Sequence, residues 1–286
     1  MQRLLSFAVV AALAAPLSAQ TVVTSPGVLT NDASDGVGNT LNDPIVASET
    51  WYRRTVREGS SLGINDTYAR NGNGSLYMAG TNGTSKGDFE YYFAAPQSLL
   101  NFGGASFDWY RAGSSDVGGQ FTPVFRFIMD FNGAAAGGFG YLIWEPIYDQ
   151  AGFVATEDVW QSVDLTNAGF WARANSTNCF YGASGPNTIG EWVGGASATC
   201  EVGGPFSFDA SVAFVTGVNV GFGSGWNGNF EGAVDNVSWA FGDDARAFNF
   251  EVASAEVVPE PATMTLLATG LAGMAAARRR RKAIES

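Results

Sequence analysis

An all-β chain folded as an antiparallel two-sheet sandwich is the architecture the sequence predicts, on three observations. Helical periodicity is missing from the middle of the chain, where no window of a helix's length carries an i, i+3, i+4 apolar stripe. Short runs rich in Phe, Trp, Tyr and Val recur instead between clusters of Gly, Asn, Asp and Ser, as strands joined by tight turns require. Apolar and polar residues alternate in Phe107-Asp108-Trp109, along Val124–Asp130, and in Val234-Asp235-Asn236-Val237-Ser238-Trp239, the period of a half-buried strand.

In chain order the first element is an export leader over residues 1–19. Arg3 gives the positive start, Leu4 to Ala15 is almost wholly apolar, and Leu17-Ser18-Ala19 offers small residues for cleavage before Gln20. The exported domain follows over 20–257. Strands are expected at Glu49–Val56, Ser75–Ala79, Gly87–Phe93, Ala105–Tyr110, Pro123–Phe131 and Phe139–Glu145. Further strands are expected at Trp160–Asp164, Ser211–Phe222, Gly232–Phe241 and Ala247–Val252. So many strands without intervening helices favour two packed sheets. Cys179 and Cys200 are an even pair in an exported chain, so a disulfide is expected. It would staple a Gly-, Ser- and Asn-rich surface loop, with a contribution of roughly 3 kcal/mol.

The last segment, 258–286, has three parts. Pro259-Glu260-Pro261 blocks helix continuation from upstream. Ala262 to Ala277 is a 16-residue apolar run, about 24 Å long as a helix. Arg278-Arg279-Arg280-Arg281-Lys282 then forms a basic stop that belongs on the cytoplasmic side.

Charge and composition exclude several classes. The chain has no His, so Ser-His-Asp and Cys-His relays and His-ligated zinc are absent. Lys and Arg number 15 against 27 Asp and Glu. The basic tail conceals a stronger imbalance, because residues 20–257 hold nine Lys and Arg against 25 Asp and Glu, near −16. Such a domain repels nucleic acid and offers oxygen ligands for Ca²⁺.

Asn31 to Asn39 has the look of a Ca²⁺ loop, with Asp32, Asp35 and Gly36. The EF-hand pattern fails at Ala33 and Asn42, where it needs acidic ligands. Glycoside hydrolysis needs two facing carboxyls. Glu145, Asp149, Glu157, Asp158, Glu191 and Glu231 are present but in no recognisable motif. Among the aromatics, Trp226 lies in a Gly/Asn turn and Trp192 inside the stapled loop. These two are the expected exposed ligand-stacking residues.

The tail resembles the PEP-CTERM sorting signal, with Pro-Glu-Pro, apolar helix and Arg cluster in the expected order. The resemblance implies cargo of a Gram-negative envelope, carried through the inner membrane and handled by an exosortase. It further implies removal of the tail near the motif and a destination at the cell surface or outside, often alongside exopolysaccharide and biofilm systems. Gly72-Asn73-Gly74-Ser75-Leu76-Tyr77, Val159 to Leu165 and Gly232 to Ser238 are similar, in order, to jelly-roll domains of the carbohydrate-binding-module type. That resemblance implies a jelly-roll-like sandwich and a structural Ca²⁺ at Asp235. The combined expectation is a non-enzymatic surface or matrix protein that binds or packs with exopolysaccharide. A secreted polysaccharide hydrolase and a ligand-free envelope component are the alternatives.

Overall fold

The computed structural model describes residues 20–27 and 47–253, apart from 134, 136, 175, 183 and 184. The leader, Asp32, Asp35, Pro259, Glu260, Pro261 and the basic stop Arg278, Arg279, Arg280, Arg281 and Lys282 lie outside the described residues. Among the described residues no helix is long and apolar enough to cross a membrane.

The strands are, in order, β1 (Thr21–Val23), β2 (Trp51–Arg54), β3 (Ser60–Asn65), β4 (Ser75–Gly80), β5 (Gly87–Ser98) and β6 (Phe102–Arg111). Next come β7 (Val124–Asp130), β8 (Phe139–Trp144), a single helical turn α1 (Pro146–Asp149), β9 (Gln161–Asp164), β10 (Gly169–Ala174) and β11 (Thr177–Tyr181). The chain continues through β12 (Asn187–Thr188), α2 (Ile189–Val193), β13 (Thr199–Cys200), β14 (Phe214–Phe222), β15 (Phe230–Phe241) and β16 (Asp244–Phe250).

These strands form two sheets. A seven-stranded sheet runs β1-β16-β15-β4-β3, with β6 on the other edge of β15 and β9 beyond it. A nine-stranded sheet runs β13-β11-β10-β8-β7-β14-β5-β2, with β12 also on β10. All pairings are antiparallel except β1 with β16. The core lies between the sheets, where Phe89, Phe107, Phe125, Phe127, Leu142 and Trp144 are fully enclosed. Each such side chain contributes roughly 1.5–3 kcal/mol by burial.

Several expected boundaries shift for local reasons. β2 is shorter than Glu49–Val56 because Glu49 and Thr55 both take positive φ, 58° and 46°, and bracket it. β14 starts at Phe214, not Ser211, because the Asp209 carboxylate accepts the Ser211 N–H and hydroxyl and holds a turn there. β1, β3, β10, β11, β12 and β13 are additions to the expected strands.

The stapled segment is also different from the loop expected. Cys179 and Cys200 are joined, and the segment between them contains α2. Thr188 and Glu191 close a capping box at its start, which satisfies two otherwise orphaned N–H groups. The cap directs Ile189 and Trp192 into the core. Trp192 is 1% exposed, stacks on Phe208 at 5.4 Å, and donates its indole N–H to the Phe170 carbonyl at 2.9 Å. It is a core residue, not the exposed platform expected.

Candidate functional site

Alternation along the nine-stranded sheet creates two unlike faces. On β5, Phe89 and Tyr91 enter the core while Asp88, Glu90 and Tyr92 project the other way. On β7, Phe125, Phe127 and Met129 face in, leaving Arg126 and Ile128 facing out. On β8 and β10, Tyr141, Ile143 and Trp171 form a small apolar cluster of their own with Ile128, outside the main core.

One row of cross-strand partners carries the outer face. Trp171, Ile143, Arg126, Asn219, Glu90 and Tyr52 are successive register neighbours from β10 to β2. With strands about 4.8 Å apart, the row is roughly 24 Å long. At its centre Arg126 Nη1 donates to Asp88 Oδ1 at 2.7 Å and to Asn219 Oδ1 at 2.6 Å. Asn219 Nδ2 passes the chain on to Glu90 Oε1 at 2.7 Å. Lys86 Nζ pairs with the other Asp88 oxygen at 2.7 Å. Thr55 and Tyr92 donate hydroxyls to Asp88 and Glu90.

Burial by itself would raise the Asp88 carboxyl, yet Lys86 and Arg126 hold it below its ordinary value. Burial raises Glu90, and the Asp88 charge beside it adds to the rise. The network therefore fixes charge and geometry before any ligand arrives.

A cleft of about 760 Å³ lies along this face. Its aromatic wall has Tyr148 stacked on Phe180 at 5.0 Å and Trp171 tilted against Phe180 at 4.9 Å. Trp171 donates its indole N–H to Glu145 Oε2 at 3.2 Å. Burial lifts the Glu145 carboxyl above its ordinary value, with Arg126 and Trp171 opposing the rise. Tyr141, also in the lining, is 8% exposed and its hydroxyl has no hydrogen-bond partner. A buried hydroxyl without a partner is costly. Trp226 lines the opposite end but is 7% exposed. It stacks on Phe121 at 5.0 Å, so its ring closes the cleft's end and is not the open platform expected of a turn residue.

Asp235 lies elsewhere, at a junction in the seven-stranded sheet. One edge of β15 pairs with β4 up to Val234 and with β16 from Val237. Between them Asn236 takes a positive φ of 52° and the register slips. Asp235 is wholly buried; its Oδ1 accepts the N–H groups of Phe250 at 2.9 Å and Asn236 at 2.8 Å. Burial pushes its carboxyl up to about 6 against these donors. Asp235 Oδ2, Asn249 Oδ1 and Ser75 Oγ are buried without partners. Asn249 Nδ2 donates to Asn71 O at 3.0 Å and to Glu251 Oε1 at 2.7 Å. This corner thus holds partnerless oxygens of the type that suits a hard cation. Among the described residues no three His, Cys, Asp or Glu side chains converge to hold a metal, so the neutral oxygens would supply most of the ligands.

Sequence reading pointed to Trp192 and Trp226 and passed over Arg126, Asn219, Glu90 and Tyr141. The signal available was a charged residue set alternately among aromatics, as in Phe125-Arg126-Phe127 and Phe89-Glu90-Tyr91.

The fold is a two-sheet β-sandwich with a cleft along the outer face of one sheet. Outside the described residues, 257–281 match the PEP-CTERM protein-sorting motif, and the chain carries that sorting signal. Among curated proteins none matches the chain. Among solved structures, the family 11 carbohydrate-binding module from Clostridium thermocellum, in complex with a β-1,3-1,4-mixed-linked tetrasaccharide, is similar at 12% identity. That similarity covers 77% of this chain and 98% of that one, with a TM-score of 0.36. The family 11 module of a cellulosomal cellulase of the same organism is similar at 13% identity, over 72% and 95% of the two chains, with a TM-score of 0.36.

Proposed function

We propose that this is an exported, non-enzymatic surface or matrix protein that binds extracellular polysaccharide along the outer face of its nine-stranded sheet. The observation that carries this reading is the preformed cleft itself. Its volume of about 760 Å³ is within the usual range for binding sites. Its wall supplies the half-buried Tyr148 and Phe180, backed by the buried Trp171, for contact with the apolar faces of sugar rings. Its floor supplies ordered polar side chains, Arg126 and Asp88 among them. A glycan array probed with the full-length protein in mild detergent tests this. Retention of a polysaccharide by the wild type and its loss in Trp171→Ala supports it, and no retention of any glycan overturns it.

The sorting motif supports processing by an exosortase and a temporary anchor in the inner membrane. Replacing Pro259-Glu260-Pro261 by Ala-Ala-Ala in a host with an exosortase should leave the chain membrane-bound at full length, by immunoblot of fractions. A secreted hydrolase acting on the bound polymer is the alternative, and release of reducing ends would establish it.

A structural Ca²⁺ at Asp235 belongs to the same proposal. Asp235 Oδ2, Asn249 Oδ1 and Ser75 Oγ would hold it, and its charge would offset the buried carboxylate. Millimolar Ca²⁺ added after chelation should raise the melting temperature, and Asp235→Asn should abolish that rise. An unchanged melting temperature in the wild type removes the metal from the account.

A further inference from the structure

We infer that the polymer held by this cleft is anionic, a carboxylated polysaccharide of the polyuronate type. This rests on the reading of the cleft as a polysaccharide site and names the class of polymer. The argument is the placement of positive charge. Residues 20–257 hold only nine Lys and Arg among 25 Asp and Glu, yet Arg57, Lys86, Arg126 and Arg173 all line this one cleft. Its acidic lining residues are Asp88 and Glu145, and Asp88 is already matched by Lys86 and Arg126.

The pairing pattern sharpens this. Arg70, Arg111 and Arg246 each sit on a carboxylate elsewhere in the domain. Arg57 and Arg173 have no carboxylate partner among the described residues. The Arg57 guanidinium reaches only the Thr84 carbonyl at 3.5 Å, and Arg173 donates to Asn178 Oδ1 at 3.0 Å. Both are exposed. In a domain so rich in acids, two unmatched arginines along one cleft are a departure from its general charge pattern.

They also stand apart. Arg173 is on β10, beside Tyr141 in register. Arg57 follows β2, where its N–H bonds the Lys86 carbonyl. Their backbones are displaced by five strand spacings across the sheet, roughly 24 Å, and also along the strands, since the row through Arg173 meets β5 at Tyr92 while Arg57 lies against Lys86. A guanidinium at each position, able to grip a carboxylate through paired N–H groups, suits a polymer with repeated charge better than a single small anion. Elsewhere the acidic surface repels such a polymer, which confines it to this face.

The test measures affinity for polygalacturonate and for a neutral mixed-linkage glucan, using full-length protein in mild detergent. The wild type should bind polygalacturonate more tightly than the neutral glucan. Arg57→Gln/Arg173→Gln should weaken polygalacturonate binding by about tenfold or more. Arg57→Lys/Arg173→Lys should fall between the wild type and the Gln variant, keeping the charge but not the paired N–H grip, and near-equal melting temperatures would show that all three proteins fold. Neutral glucan bound as tightly as polygalacturonate, or no loss in the Gln variant, overturns the anionic assignment and leaves the cleft a glycan site. Failure of the wild type to bind either polymer, or any glycan on the array, overturns the underlying reading as well.

Discussion

The outer faces of the two sheets are made from the same materials and end in different states. On the seven-stranded sheet, Tyr68 from the β3–β4 connection covers the strands, stacked on Tyr110 at 4.5 Å and on Tyr77 at 6.1 Å. Glu231 beneath accepts hydroxyls from Tyr77 at 3.0 Å, Ser114 at 2.6 Å and Tyr68. Tyr110 OH is taken by Asp158 at 3.0 Å. The hydroxyls of that aromatic cluster are satisfied by the protein's own acids. On the nine-stranded sheet the aromatics border a cleft, Tyr141 OH is unpartnered, and two arginines lack acids. Aromatic content alone does not mark a binding face; the distinguishing property is polar capacity that the protein's own groups leave open.

The strongest way to break this comparison is to remove the centre of the open face. Arg126→Ala leaves Asp88 with Lys86 as its one cation among the described residues and removes the donor to the buried Asn219 oxygen. A loss of about 2–3 kcal/mol is expected from leaving buried oxygens without their donor, read as a lower urea midpoint. A loss below about 1 kcal/mol would mean that water satisfies the network.

Next in size is the effect on binding. Trp171→Ala should weaken glycan binding by about tenfold or more, because Tyr148 and Phe180 lose the ring they pack on. Tyr68→Ala should leave glycan affinity unchanged and cost about 1 kcal/mol of stability, through lost ring contacts. Equal effects on binding from the two would abolish the distinction between the faces.

The smallest effect concerns Glu145. Its folded carboxyl is held above the ordinary value of 4.5 by burial, so the native state favours the protonated form. The stability this gives is present at low pH and is lost as pH rises from about 4.5 through the raised folded value. Glu145→Gln keeps an oxygen for the Trp171 indole. It should melt higher than the wild type at neutral pH, with the advantage vanishing below pH 4.

The sequence made the sandwich legible because alternation and turn residues are local signals. Phe107-Asp108-Trp109 sits on β6 and Val234 to Trp239 on β15, as read. The stapled segment was misread because its Gly and Ser content outweighed the Thr188/Glu191 pair that starts α2. The cleft was least legible. Arg126, Asn219 and Glu90 are far apart in the chain, and only the register of β7, β14 and β5 brings them into one row. Trp226 was misjudged for a related reason, since a turn residue is buried when a distant Phe121 packs over it.

The single parallel pairing has a consequence for how the molecule is assembled. Thr21–Val23 is the first strand of the domain to be made, and its partner β16 is the last. Gln20 at its start bonds Asn236 and the Phe248 carbonyl, which also arrive late. Pairing over so great a separation pays a large loop-closure entropy and belongs to the slow end of folding. That edge of the seven-stranded sheet therefore closes only once the chain has been made through Phe250.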